Sequence, residues 1–273
     1  MDATYFDVNP NLAYRLSSHW SVGGGLDAIF SRTKDHFYFM NSTDYAKIDM
    51  KGTDVGWNAG LLYSSNFYRF GLTYRSGLTS HLRGTVDTGG AVLPTVFDDK
   101  NEVGESQIPP TWRFSGLYQL SPTWVVMTTL YYTQWKQAER SGIANGDDPK
   151  KIKYYTDYDN NNTISIAVGA KHQFNQRWGM AFGVIYDPQL TDNHVLQNGE
   201  NKGKRIAPNN ASYGLTMGLH YQRNPQWHYA FAMLYVLPTK QNVYMSSMGM
   251  PPAMDGVTRD DVFEVALATS RVF

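Results

Sequence analysis

The chain has 273 residues, 24 basic and 24 acidic side chains, and no Cys. Balanced charge gives nucleic acid no electrostatic reason to bind, and without Cys there is neither a disulfide framework nor a thiolate metal site. Aromatic residues make up 14%, with 19 Tyr against 13 Phe, a proportion that suits a membrane interface, yet no apolar run reaches the roughly 18 residues of a transmembrane helix.

Taken in order, the sequence reads as strands with period-two alternation separated by turns. The first is expected near 5–16 and turns at Ser17 and Ser18 into a second near 20–32, opening on Trp20. After a polar stretch, 33–52, a third covers 54–64, with Val55, Trp57, Leu61 and Tyr63 opposite Gly56, Asn58, Gly60 and Ser64. Ser65 and Asn66 turn through Phe67 into a fourth, 67–76. A polar stretch, 76–109, precedes a fifth at 111–120; Ser121 and Pro122 then turn into a sixth, 124–137, from Trp124. Beyond 139–160 lies a seventh, 162–174, carrying Ile164, Ile166 and Val168. Asn175 and Gln176 lead to an eighth, 178–187, where Trp178, Met180, Phe182, Val184 and Tyr186 oppose Gly179, Ala181, Gly183 and Ile185. After 188–210 come a ninth at 211–222, a turn at Asn224 and Pro225, and a tenth at 227–236 from Trp227. A last polar stretch, 237–260, precedes an eleventh, 261–273, where Phe263, Val265 and Leu267 oppose Glu264, Ala266 and Ala268, and which stops on Phe273.

A soluble sandwich would also alternate. The connections discriminate: short and long ones alternate throughout, the layout of an outer-membrane barrel with tight periplasmic turns and long extracellular loops. The aromatics after the short turns, Trp20, Phe67, Trp124, Trp178 and Trp227, are then expected to form the inner aromatic girdle. A final alternating strand ending in Phe273 resembles the signal read by the barrel-assembly machinery. The expected fold is all-β, a transmembrane antiparallel barrel with about eleven strands present, forming one domain over residues 1–273. Single-chain bacterial barrels have an even strand number. With an odd count the first and last strands run the same way, so a gap or a parallel seam is expected beside the strand from Tyr5 to Leu16. Met1 and Asp2 do not open a basic segment before an apolar core, so no signal peptide is read there.

At this point the residues resemble a family. Asn9, Pro10, Asn11, Leu12, Ala13 and Tyr14, followed by Trp20, Ser21, Gly23 and Gly25, are similar to the "NPxxAY … WSxGxG" hairpin of the FadL/TodX transporters. Pro110, Trp112, Ser115, Gly116 and Tyr118, then Pro122, Trp124, Tyr132, Thr133 and Trp135, resemble that family's "PxW … SGxY … PxW … YTxW". Ile166 to Gly169, Trp178, and Tyr186 with Asp187 and Pro188 resemble a third stretch. The resemblance implies a barrel of about fourteen strands with an N-terminal hatch. It also implies uptake of long-chain fatty acids or other hydrophobic compounds across the outer membrane of a Gram-negative bacterium. The hatch and early strands have no counterpart in this sequence, so the chain is expected to be the C-terminal portion of a longer protein, monomeric when complete.

A fatty acid needs an apolar slot for its tail and a cation for its carboxylate. Strand parity turns Asp27, Arg69, Arg75, Arg113, Lys171, Asp187 and Glu264 toward the lumen. Of these, Arg75, Arg113 and Lys171 are candidate ligand contacts. The resemblance adds Arg32 and Lys153 as carboxylate-binding positions, while the loop apolars Val92, Leu93, Val96, Met248 and Met250 are candidates for an outer groove. Outer-membrane lipid and lipopolysaccharide are the expected surroundings. Gly23 to Gly25 loosely fits a dinucleotide fingerprint, but no helix is expected after it; Asp157 to Asn161 begins like a calcium loop without the later ligands. No enzyme chemistry, metal or cofactor is expected. A polar-solute porin and a non-transporting surface adhesin are the alternatives.

Overall fold

The computed structural model describes residues 2–38, 45–89, 99–138, 140–145, 152–197, 200–204, 211–243, 256–259 and 261–271. Their alternating sequence folds as strands. The first pass of chain is β1 (Asp2–Val8) and β2 (Asn11–Arg15), interrupted at Pro10, which has no N–H for a ladder. The second and third, β3 (Trp20–Tyr38) and β4 (Tyr45–Ser64), are unbroken. The fourth is β5 (Tyr68–Arg75) with β6 (Leu78–Gly89), and the fifth β7 (Asp99–Ile108) with β8 (Thr111–Gln119). The sixth joins β9 (Trp124–Thr133) to β10 (Arg140–Asn145) through a 3₁₀ turn at Trp135–Gln137. The seventh is β11 (Ile152–Asn160) with β12 (Thr163–Gln173), and the eighth β13 (Trp178–Asp187) with β14 (Thr191–Gln197). The ninth is β15 (Glu200–Lys204) with β16 (Ser212–Gln222). The tenth is β17 (Trp227–Pro238) with β18 (Gln241–Val243), and the eleventh β19 (Gly256–Thr258) with β20 (Val262–Arg271).

Successive passes pair antiparallel, so the wall is a meander. β3 receives β1 and β2 on one side and β4 on the other, and the series continues to β17 against β20. Among the described residues no pairing joins β20 to β1 or β2, and every residue of β2 and β20 is exposed. The expected gap is therefore present beside the first pass: the barrel wall has one open seam.

The tight turns explain why Ser or Asn precedes an aromatic at fixed spacing. In one turn Ser17 Oγ accepts from the N–H groups of His19 and Trp20, and in another Ser121 Oγ accepts from Thr123 and Trp124. Asn175 Oδ1 accepts from Arg177 and Trp178, and Asn224 Oδ1 from Gln226 and Trp227. A short polar side chain thus satisfies N–H groups that the turn leaves free, and the third residue on becomes the first of the next strand. In the remaining turn Ser65 Oγ accepts from Tyr68 N–H. Tyr68, not Phe67, therefore stands where the other turns place Trp.

The stretches expected as long polar loops are partly strand. β3 and β4 run on to Tyr38 and from Tyr45, and β6, β7, β10, β11, β14 and β15 lie wholly within those stretches. An antiparallel ladder needs backbone partners and tolerates polar side chains on both faces in water, so the loss of apolar alternation did not mark the strand ends. Breaks interrupt the wall at one level: Ser76–Gly77, Pro109–Pro110, the 3₁₀ turn and Asn161–Asn162. Flanking pairs Arg75↔Thr111, Leu78↔Ile108, Thr111↔Thr133 and Thr163↔Thr133 set that common height. A Cβ at Gly77 would lie 2.8 Å from Pro110 Cδ, so the two breaks fit each other only with glycine.

Candidate functional site: the luminal wall and its outer rim

Register assigns the two faces. Ile164, Ile166, Val168, Phe182, Val184, Leu215, Met217, Val265 and Leu267 all point outward and are exposed, as an apolar band in hydrocarbon requires. The band ends in rings. At the tight-turn rim Trp20 packs edge-on to Tyr63, Trp178 lies against Tyr221 and Trp124 stacks on His172. Trp227 is followed by Tyr229, while Phe67 is exposed in its turn. A second belt, which the sequence reading did not single out, holds Trp57, Tyr74 and Trp112 with centroids 5.0 and 4.7 Å apart, and Tyr186 with Tyr213 at 5.3 Å. From Trp178 to Tyr186 is about 20 Å along the barrel axis at ~3.3 Å per residue and ~40° tilt, close to the ~25 Å of such a band. The signal was available: both belts keep the outward parity.

Inward, the small side chains Gly23, Gly60, Gly71, Ala167, Gly169, Ala181, Gly183, Gly218, Ala232 and Ala266 leave room, and a few charged groups cross it. Asp27, only 1% exposed, is held by Arg75: Nη2 donates to Oδ1 at 3.1 Å and Nε to Oδ2 at 3.3 Å. The same Nη2 donates to Asp7 Oδ2 at 2.8 Å, which ties the first pass to the fourth. Burying a carboxylate is tolerable only with such pairing. Close approach enforces glycine beside it: a Cβ on Gly25 would collide with the Asn11 side chain and the Pro10 carbonyl. This cluster lines a cleft of about 860 Å³, completed by Ile108, Pro109, Arg113, Tyr131 and Trp135. Across β9, a second cleft of about 680 Å³ shares Tyr131, Thr133 and Trp135 and carries Ile185, Leu190, Leu234 and Val236, with Ser165 donating to Asp187.

The predicted site residues separate. Arg75 is committed to Asp7 and Asp27. Arg113 lies with its guanidinium 4.5 Å from the centre of the Tyr131 ring and makes no ion pair among the described residues. Lys171 faces the lumen lower down, opposite Ala181 and Val125. Arg32 does not join them. β3 is regular to Tyr38, so Arg32 keeps the outward parity of Phe30, and Nε and Nη2 donate to Asp49 at 3.3 and 3.2 Å. Hydrogen bonding to that guanidinium holds the Asp49 carboxyl below its usual range, helped by Lys34 and Lys51. Lys153 is in β11, with its side chain outside the described residues, as are Val92, Leu93, Val96, Met248, Met250 and Phe273. Gly23 to Gly25 is mid-strand, and Asp157 and Asp159 belong to β11. Asp7 and Asp49 are partners that sequence reasoning missed, since cross-strand neighbours need the register.

The family described as "Outer membrane protein transport protein (OMPP1/FadL/TodX)" matches residues 2–273. A long-chain fatty acid transport protein of Escherichia coli O6:H1 (strain CFT073) is 26% identical over 224 residues, which is 68% of this chain and 50% of that protein. Outer membrane protein P1 of Haemophilus influenzae is 21% identical over 232 residues, 71% of this chain and 49% of its own. The chain therefore spans about half the length of these curated relatives. The crystal structure of a Pseudomonas aeruginosa FadL homologue superposes with a TM-score of 0.76 at 16% identity, covering 98% of this chain and 68% of the other. That of the Ralstonia pickettii toluene transporter TbuX gives 0.58 at 14%, covering 99% and 68%. Those structures bear on the fold, while membership rests on the family match over nearly the whole chain: with its outward apolar band and antiparallel meander, the chain belongs to the OMPP1/FadL/TodX family of Gram-negative outer-membrane transport proteins, which are channels and not enzymes.

Proposed function

We propose that this chain forms the wall of a channel that admits long-chain fatty acids or related hydrophobic compounds, within a barrel whose seam is closed by strands outside this chain. The observation that carries the reading is Arg113: a luminal cation without an ion pair among the described residues, set over Tyr131 in a cleft whose other walls include Ile108, Pro109 and Trp135. A carboxylate head and an apolar tail would find complementary surfaces there. The relatives named for fatty acid and toluene transport supply the two substrate classes to compare. A charge-assisted bond to a carboxylate contributes about 1.5–3 kcal/mol. In a protein with a closed barrel, Arg113→Ala should weaken oleate binding roughly ten-fold or more and leave an uncharged alkane unaffected, as measured by titration in detergent. Equal weakening of both ligands would make Arg113 structural. Saturable uptake of a sugar but not of oleate would favour the polar-solute porin.

A further inference from the structure

On β1, β3 and β4 the outward apolar face continues past Trp57 through Val8, Ala28 and Val55 to Phe6 and Phe30. Phe30 lies about 25 Å along the axis from Trp20 at ~3.3 Å per residue and ~40° tilt, and the next row out carries cations that the channel reading does not use. Register places Thr4, Arg32, Lys51 and Arg83 side by side across β1, β3, β4 and β6. Arg32, Lys51 and Arg83 are all exposed. The row immediately nearer the membrane begins with Phe6, Phe30 and Thr53 and continues with His81 and Glu105, whose side chains lie 3.6 Å apart. The row farther out holds Asp2, Lys34, Asp49 and Thr85. Beyond that, Asp87 stands opposite Lys47.

Three adjacent cations in one row repel each other, because directly opposite like charges destabilise a sheet. The structure offsets this only in part. Asp49 reaches down to Arg32, at 3.2 Å, and also lies 3.8 Å from Lys34. Lys51 and Arg83 make no ion pair among the described residues. The unbalanced charge thus faces the bilayer, at the height where acyl chains give way to headgroups, and the carboxylates of β1, β3, β4 and β6 on this face stand farther out. Three strands span about 10 Å at ~4.8 Å spacing, the width of a disaccharide.

We propose that Arg32, Lys51 and Arg83 form a docking row for the phosphorylated headgroup of an outer-leaflet glycolipid, lipid A. Phe30 and its outward neighbours take the first part of the acyl chains and the guanidinium groups take the phosphates. Arg suits the bidentate geometry of phosphate, and cations close to an anionic bilayer surface gain from its potential. The inference rests on the outer-membrane reading and is independent of what passes through the lumen.

The test uses the full chain reconstituted in phosphatidylcholine nanodiscs doped with either bisphosphoryl lipid A or the same lipid with its phosphates removed. Retained lipid A is measured by mass spectrometry over a salt series. The expected result is preference for the phosphorylated lipid, lost by roughly five-fold for each cation removed and about a hundred-fold in the combined variant R32S/K51S/R83S. D49N should act oppositely and tighten retention several-fold, a gain that misfolding cannot produce. R177S and R223S at the other rim should behave as wild type. Wild-type retention by the triple variant, or no discrimination between the two lipids, overturns the proposal. So does binding of free inorganic phosphate that lipid A fails to displace, which would make the row a site for soluble anions. A chain that does not enter the bilayer, seen as full protease sensitivity of both rims, counts against the membrane reading and is distinguishable from an inserted chain without selectivity.

Discussion

Asp27 is the most deeply buried carboxylate described, and its environment depends on one guanidinium that also reaches Asp7. Truncating Arg75 leaves a desolvated charge behind, whereas truncating both partners leaves only a polar gap. Arg75→Ala should therefore cost about 2 kcal/mol, less than a fully buried pair because the guanidinium is half exposed, and Asp27→Ala in the same chain should restore most of it. Urea unfolding of the four variants of the cycle, in detergent, reads this directly. If the double variant is as unstable as the sum of the singles, the pair is not coupled. The individual charges were legible by parity, since β3 and β5 keep strict alternation up to Arg75. Their pairing was not, because which strands lie side by side, and in what register, is a long-range property. Arg32 shows the converse: parity in a regular strand already placed it outside, on the face of Phe30. The family resemblance pointed the other way.

At the scale of the element, the recurrent unit is the tight turn with its Ser or Asn acceptor. Asn175 and Asn224 each accept two backbone N–H groups at the start of a strand. Asn175→Ala should cost about 1 kcal/mol, and Gln176→Ala next to it almost nothing, on thermal unfolding. Equal costs would mean that the side-chain acceptor is irrelevant. These turns were readable from spacing alone because all their partners lie within three residues. The upper strands were not readable. Ser76 and Gly77 add one residue between β5 and β6 relative to β4, as the pairs Asn58↔Arg75 and Lys51↔Arg83 show. Beyond that bulge, odd and even exchange faces, so parity carried up from Arg75 would turn Arg83 to the wrong side. Polar composition concealed the strands themselves.

For the whole molecule, the two faces define the environment. Phe182 and Ala181 are neighbours in β13 that point to opposite sides of the wall. Phe182→Arg should cost about 2–4 kcal/mol in a bilayer and Ala181→Arg little, since the latter meets the lumen. Refolding equilibria in lipid vesicles separate the two, and equal sensitivity would contradict the assignment of Phe182 to lipid and Ala181 to the lumen. The meander has one further implication. Every strand pairing in the main sheet joins one pass to the next, so contacts are as local as a large sheet allows. Each hairpin can zip onto the growing edge without waiting for distant chain to arrive, and contact order stays low until the wall is laid down. Only closure of the seam, where the proposed strands outside this chain must join the β2 edge to the β20 edge, spans the full sequence separation. Loop-closure entropy is concentrated in that single event, which makes it the slow step of assembly, while substitutions in the interior hairpins should leave its rate nearly unchanged.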